Sequence, residues 1–344
     1  MNSLSWGILG TGRIAGVFAS QLPKSKTGKL VAIASRSQSS ADKFAREYGA
    51  AQSYGSYEAL LADPAVQAVY ITTPHPMHAE WAIKAAEAGK HILCEKPLTL
   101  NHADAVKVVE AARRHNVFLM EGFMYRCHPQ IAKLIELIRD KVIGDIRLIH
   151  ASFGFHREFN PTSRLYSNAL GGGAILDVGC YATSMSRLIA GVALGKSFIE
   201  PVEVSGFAHF VSTGVDSWAV ASARFPNEIL ASLSTSCEVQ QENAVQISGS
   251  LGRIIVPAPW SQIHDSPVTK LFVDRKGEPR QEITIELAQP VFAIEADHVA
   301  AHVEQRQAPA MSWDDTLGNM KMLDQWRKAI GLIYDSEKAG SKSS

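Results

Sequence analysis

The chain has no excess charge of either sign, no apolar run long enough to span a membrane and no closely spaced cysteines. Lys plus Arg number 34 and Asp plus Glu number 34 in 344 residues. Without a net field, affinity for nucleic acid or an anionic membrane is not expected. The basic clusters that exist, such as Arg113-Arg114-His115, fall in a helical pattern and read as a solvated face. A membrane helix needs about 20 consecutive apolar residues, and the N-terminus has no charged-then-apolar export pattern. The four cysteines, Cys94, Cys127, Cys180 and Cys237, form no CxxC pair. That argues against a disulfide framework or a zinc site. Reduced thiols in a cytoplasmic protein are expected, with the cysteines as small packing residues. No internal repeat or low-complexity linker interrupts the chain.

What is present is an ordinary globular composition, 46 % hydrophobic, in a chain long enough for two cores. Short apolar runs at 6–9, 30–34, 68–71, 91–94 and 117–120 read as strands. Helical patterns lie between them at 13–22, 39–48, 57–61, 77–88 and 101–115. Strands alternating with helices predict a parallel sheet wound on both faces. Gly49, Gly89 and Asn116 fall where helices should stop. After about residue 124 the rhythm changes. A helix is expected at 129–139. Strand-like stretches follow at 145–155, 202–212, 217–225, 228–237, 244–248, 253–256, 268–274 and 282–286. Their alternation is that of an antiparallel sheet with one covered face. Helices are expected near 174–190, at about 290–304 and at 313–333, and a polar, disordered tail at 336–344. The expected fold is therefore α/β. Residues 1–124 form a doubly wound dinucleotide-binding domain, and 125–335 an α+β domain with a large open, mostly antiparallel sheet for substrate and oligomerisation.

Gly10-Thr11-Gly12-Arg13-Ile14-Ala15 follows the first strand and opens the first helix. That is the setting of a Rossmann GxGxxG/A fingerprint. Gly10 permits the tight turn, Gly12 lets backbone approach a pyrophosphate, and Ala15 lets helix and strand pack. The amides of the helix N-terminus, at Arg13 and Ile14, then face the anion. The second strand ends Ala34-Ser35-Arg36-Ser37, with no acid to hold a ribose 2′-hydroxyl. Ser35 and Arg36 suit a 2′-phosphate instead, so NADP is the expected cofactor, with NAD possible.

Two further motifs carry chemistry. Glu95-Lys96-Pro97 ends a strand, and Asp177-Val178-Gly179-Cys180-Tyr181 lies in a helical pattern. Asp177 and Tyr181, four apart, share a face. An ammonium, a carboxylate and a phenol around a nicotinamide would make an alcohol–carbonyl redox site. Free tyrosine titrates near 10, too high for an efficient base at neutral pH. An adjacent Lys96 ammonium would stabilise the phenolate. Tyr181 would take or give the proton, Lys96 would hydrogen-bond the substrate oxygen, and Asp177 would orient Lys96 or a substrate hydroxyl. The Lys96–Pro97 bond is expected to be cis. Thr73 and His78 flank the turn after the fourth strand, near the expected cofactor crevice, and Glu95 would hold the nicotinamide ribose. For His78, packing at a helix start is an equal alternative. Phe155, His156, Arg164 and Tyr166 precede a triple glycine and would line the substrate pocket. For Arg164 a salt bridge within the second domain is as good a reading.

The glycine loop, Thr73-Pro74-His75-Pro76-Met77-His78, the stretch from Ala88 through Glu95-Lys96-Pro97, and Gly171-Gly172-Gly173 through Tyr181 have an order and spacing that resemble the glucose–fructose oxidoreductase/inositol dehydrogenase (Gfo/Idh/MocA) family. The resemblance spans nearly the whole chain. Tyr181, with the stretch from Glu121 to Pro129, is most similar to the dimeric dihydrodiol/D-xylose dehydrogenase branch. Many relatives carry histidine at the Tyr181 position, which makes inositol a less suitable substrate. The resemblance implies comparable roles for Lys96 and Asp177, no metal, and a homodimer or higher oligomer paired through the second domain's sheet. An NADP-dependent oxidoreductase of a sugar or related cyclic polyol, diol or ketone is the leading expectation. A non-catalytic dinucleotide sensor is the alternative. An enzyme that keeps its nucleotide bound and cycles between two sugars is a third.

Overall fold

The computed structural model describes residues 3–260 and 266–340. The chain divides into two units. One holds the chain up to His128 together with Ala288–Leu317; the other holds Pro129–Leu287 and the chain from Gly318 on.

The first unit opens with β1 (Leu4–Leu9), α1 (Arg13–Gln21), β2 (Gly28–Ala34), α2 (Gln38–Tyr48), β3 (Gln52–Tyr54) and α3 (Tyr57–Leu61). It continues with β4 (Ala68–Ile71), α4 (His78–Glu87), β5 (His91–Glu95), α5 (His102–Arg114) and β6 (Leu119–Gly122). The strands pair in parallel in the order β3-β2-β1-β4-β5-β6. Strand β4 is buried along its whole length, as expected where helices cover both faces. The order reverses between β1 and β4, and in such sheets ligands bind at the strand ends beside that point. Gly49, Gly89 and Asn116 have positive φ of 74°, 70° and 53°, as helix stops require.

The second unit contains α6 (Pro129–Arg139), β7 (Ile146–Gly154), α7 (Cys180–Ala193), β8 (Glu203–Phe210), β9 (Asp216–Arg224) and β10 (Leu230–Ser236). It goes on through β11 (Ala244–Gly249), β12 (Gly252–Pro257), β13 (Val268–Arg275) and β14 (Gln281–Glu286). The sheet order is β14-β13-β12-β11-β7-β10-β9-β8, antiparallel except for β7 against β10. Along β9, buried and exposed residues alternate, so one face is covered and the other presents side chains such as Phe207 and Val220 outward.

Three expectations need correction. The segment 288–317, expected in the second domain, belongs to the first unit, and the first boundary falls after His128 rather than at 124. The reason lies in α8 (Val291–His302), whose Phe292, Ala293, Ala296 and Val299 are buried. Phe292 meets Phe18 of α1 edge-on at 6.3 Å. Asp297 accepts hydrogen bonds from Ser25 Oγ and from the Thr27 amide and hydroxyl at 2.6, 3.0 and 2.6 Å. A buried Arg126–Asp315 pair at 2.5 Å fastens the first turn of α9 (Trp313–Ile330) to the same unit. Second, the tail is ordered as far as described: α10 spans Asp335–Gly340. Its Glu337 pairs with Arg327 and caps the Tyr334 amide at 2.9 Å. Residues 341–344 lie outside the described residues. Third, the edge strand β3 has no counterpart among the expected strands.

Candidate active site

In the first unit, β1 ends at Leu9 and the chain turns at Gly10, whose φ is +112°. A Cβ there would meet Thr72 Oγ1 at 2.6 Å, so only glycine fits both the angle and the space. Gly12 is the N-cap of α1 and has no side chain with which to cap that helix. An added Cβ at Gly12 would meet nothing within 4 Å. The space beside Gly12 is open, so a ligand can approach the backbone at the start of the turn that includes Arg13 and the half-buried Ile14. Ala15 is fully buried, as helix–strand contact requires. The loop fits a dinucleotide pyrophosphate. Beyond β2, the Ser35 amide bonds the Tyr54 carbonyl at 3.0 Å, and Arg36 is exposed. Ser37 is the N-cap of α2, yet its side chain makes no cap bond and pairs with Ser39 Oγ at 2.9 Å.

The turns after β4 and β5 are joined by His78. Its ring is fully buried. Nδ1 lies 2.9 Å from the Pro97 carbonyl and Nε2 lies 2.8 Å from the Thr73 carbonyl. His78 therefore staples the two turns, and the expectation that it contacts cofactor directly is corrected: both ring nitrogens face backbone oxygens. The buried Thr73 Oγ1 has no partner among the described residues, which leaves a hydroxyl at the strand end for a ligand. Glu95 is buried and accepts a hydrogen bond from the Tyr70 hydroxyl. Lys96 is half-buried, and its bond to Pro97 is cis, as expected. Glu295 on α8 is fully buried with neither oxygen paired among the described residues. Burial, and then the nearby Glu95 charge, push its pKa well up.

In the second unit the triple glycine leads into a π-helical turn, Ile175–Gly179, which runs directly into α7. Such turns recur at functional sites. Asp177 lies in the π turn and Tyr181 in the first turn of α7. Arg164 Nη2 donates to Asp177 Oδ1 at 2.9 Å, so the salt-bridge reading of Arg164 holds. The Tyr181 ring is 6 % exposed. It lies among Phe153, edge-on at 5.2 Å, and Trp260 at 6.0 Å, while Phe153 and Trp260 stack at 5.7 Å. Sequence reasoning missed Phe153 and Trp260, because no periodic pattern links a strand residue to a loop tryptophan.

Of the expected pocket residues, one is a core residue instead and another, half-buried, packs against it. Tyr166 is 1 % exposed, and its hydroxyl donates to the Arg157 and Cys237 carbonyls at 2.7 and 3.2 Å. Burial raises its pKa. Phe155 packs on the cluster of Tyr166, Ala174 and Cys237. His156 is exposed, with Nδ1 2.6 Å from the Glu238 carbonyl. The four cysteines are free, three of them buried. Burial pushes the Cys237 thiol up to about 12, which suits packing rather than reactivity. Among the described residues no group of His, Cys, Asp and Glu could hold a metal, and no helix is long and apolar enough to cross a membrane.

A glycine loop at the switch point of a parallel sheet, followed by a mostly antiparallel open sheet, defines a two-part protein whose first part is built to bind a dinucleotide. Residues 4–123 match the model of the oxidoreductase family with an NAD-binding Rossmann fold, and residues 131–255 match the GFO/IDH/MocA C-terminal domain. The chain is 32% identical over 338 residues to trans-1,2-dihydrobenzene-1,2-diol dehydrogenase of Xenopus laevis, covering 96% of this chain and 98% of that protein. Identity to the protein of that name from Homo sapiens is 31% over 349 residues, covering 98% and 99%. Among solved structures, the 3-ketoreductase KijD10 of Actinomadura kijaniata, in complex with NADP and TDP-benzene, superposes with a TM-score of 0.83 at 28% identity, covering 96% and 98%. The chain belongs to the Gfo/Idh/MocA family and is an NAD(P)-dependent oxidoreductase.

Proposed function

We propose that the enzyme transfers hydride between NADP and a sugar or related cyclic diol, or the corresponding ketone, with Tyr181 as acid/base. The observation that carries this reading is the continuous π-to-α segment that holds Asp177 and Tyr181 four residues apart. When bound, the nicotinamide supplies the hydride acceptor or donor. Tyr181 takes the hydroxyl proton in oxidation and returns one to the carbonyl oxygen in reduction. Lys96 hydrogen-bonds the substrate oxygen. Asp177, fixed by Arg164, orients a substrate hydroxyl or Lys96. The aromatic group of Tyr181, Phe153 and Trp260 offers an apolar wall for the carbon face of a ring. Relatives named for a dihydrobenzenediol support a cyclic diol.

NADP preference is supported by Ser35, the exposed Arg36 and the absence of an acid at the end of β2, and by the NADP complex of KijD10. Gly10, Gly12, Arg13, Ile14, Thr73 and Glu95 complete the cofactor set. The outward side chains of the second sheet, Phe207 at 82 % exposure among them, support pairing of two copies. Free cysteines support a reducing cytoplasm. Absorbance of reduced nicotinamide across aldoses, inositols, cyclic diols and their ketones, with NADP and with NAD, tests the activity. Tyr181→Phe should lower turnover roughly 10²–10⁴-fold with cofactor binding nearly intact; undiminished turnover removes Tyr181 from the mechanism.

A further inference from the structure

The segment that carries Asp177 and Tyr181 begins at the triple glycine, and its own side chains do not cap it. The cap comes from a residue far along the chain. Asp216, the first residue of β9, is fully buried. Its Oδ2 accepts the Ile175 amide at 2.8 Å. Its Oδ1, buried and without a partner among the described residues, lies against Gly173. Gly173 has φ +104°, and an added Cβ would meet Asp216 Oδ1 at 2.2 Å. The carboxyl group therefore fills the space that a side chain at position 173 would need.

The same turn is held from two further sides. Tyr334 Oη donates to the Gly172 carbonyl at 2.8 Å, and Thr235 Oγ1 donates to the Ala174 carbonyl at 3.1 Å. The turn in turn holds the arginine that pairs with Asp177. The Gly173 amide bonds the Leu165 carbonyl at 2.8 Å and the Gly172 amide bonds the Ser167 carbonyl at 2.9 Å. A Cβ on Gly172 would strike the Arg164 carbonyl oxygen at 2.7 Å. A shift of this turn would thus move Asp177 and Arg164 together.

We propose that Asp216 is a positioning residue for the reaction: its carboxyl group caps the glycine-led turn and sets where Asp177 and Tyr181 stand. This rests on the reading of Asp177 and Tyr181 as site residues. The charged and titratable groups that interact with Asp216 are Arg327 of α9, Tyr334 before α10 and Cys237 after β10. Burial raises the Asp216 carboxyl to about 7, against the pull of neighbouring amides and Arg327. Ionisation is thus disfavoured while the turn is closed, and local opening should become easier as pH rises from about 4 to about 7.

The test compares Asp216→Ala, Asp216→Asn and Tyr181→Phe with the wild-type enzyme. Asp216→Ala removes the acceptor for Ile175 and should lower kcat roughly 10-fold or more, as small misplacements do, with cofactor Kd unchanged. Asp216→Asn keeps a neutral acceptor and should recover most of that loss. Hydrogen exchange at the amides around Ile175, corrected for intrinsic rate, should show protection falling from about pH 5 to about pH 7 in wild type and staying level in Asp216→Asn. Wild-type kcat in Asp216→Ala, while Tyr181→Phe is impaired, overturns the role of Asp216 alone. Full activity in Tyr181→Phe overturns the underlying site reading. If Asp216→Ala does not fold, the exchange comparison decides: equal pH dependence in wild type and Asp216→Asn overturns the proposal.

Discussion

The two glycine-led helix starts of this chain solve one problem in opposite ways. Both turn a chain sharply into a helix and leave first-turn amides to be satisfied. At α1 the N-cap is Gly12, which has no side chain to cap the helix, and the space beside it is open. At the π turn the space beside Gly173 is filled by the Asp216 carboxyl, which accepts the Ile175 amide. The first start is left for an anion from outside. The second is closed by the protein's own acid, and the helix it begins carries chemistry rather than a phosphate. Gly12 therefore gives access, whereas Gly173 gives close packing.

The largest expected effect comes from closing the open start. Gly12→Asp places a favourable N-cap residue at φ −78°, where no atom lies within 4 Å of the new Cβ. The fold should be as stable as before or slightly more so. Cofactor affinity should fall on the order of 10²-fold, because a fixed carboxylate takes the amides and repels the pyrophosphate. Calorimetric titration with NADP, beside a melting curve, checks both halves. Unchanged affinity would mean that the loop does not hold the cofactor.

The converse substitution should act on stability first. Gly173→Ala must adopt φ +104° and displace the Asp216 carboxyl. It should cost roughly 2–4 kcal/mol in urea unfolding. The pH dependence of stability separates the two starts further. The Asp216 carboxyl is raised to about 7 in the folded state. Its contribution is full below the ordinary carboxylate range and is lost as pH rises through about 7. Relative to Asp216→Asn, the wild-type enzyme should therefore lose stability between about pH 4 and about pH 7 and run parallel above. Thermal melts of both proteins across that range measure the difference, and a constant offset would contradict it.

How much of this was legible follows from the range of the interactions. The parallel sheet could be read because β4 and its neighbours are buried on both faces and leave continuous apolar runs. The glycine loop could be read because its function is local: strand, turn and helix are contiguous. Strand β3 left no signal, since three residues at a sheet edge, Gln52–Tyr54, have no pattern to show. The helical pattern of α8 was plain, but periodicity does not say which core a helix joins. Tyr166 looked like a pocket residue because a sequence does not show where a hydroxyl points; in the fold it points at two backbone carbonyls. Asp216 had no local signal at all, since its partners lie about forty residues upstream, as the Ile175 amide shows with a separation of 41.

The smallest expected effect concerns the far end of the open site. At the close of β2 the chain offers Ser35 and the exposed Arg36, with Ser37 leading into α2. A guanidinium there would add a charge-assisted bond to a 2′-phosphate and nothing comparable to a ribose hydroxyl. Arg36→Ala should therefore raise the Kd for NADP about 10-fold, the order of one such bond, and leave that for NAD within about twofold. Stability should hardly change, because the side chain is on the surface. The NADP effect should shrink as salt is added, as it does for exposed charges. Equal losses for the two cofactors would show that Arg36 meets the adenine or the shared ribose instead, and the preference for NADP would then need another source.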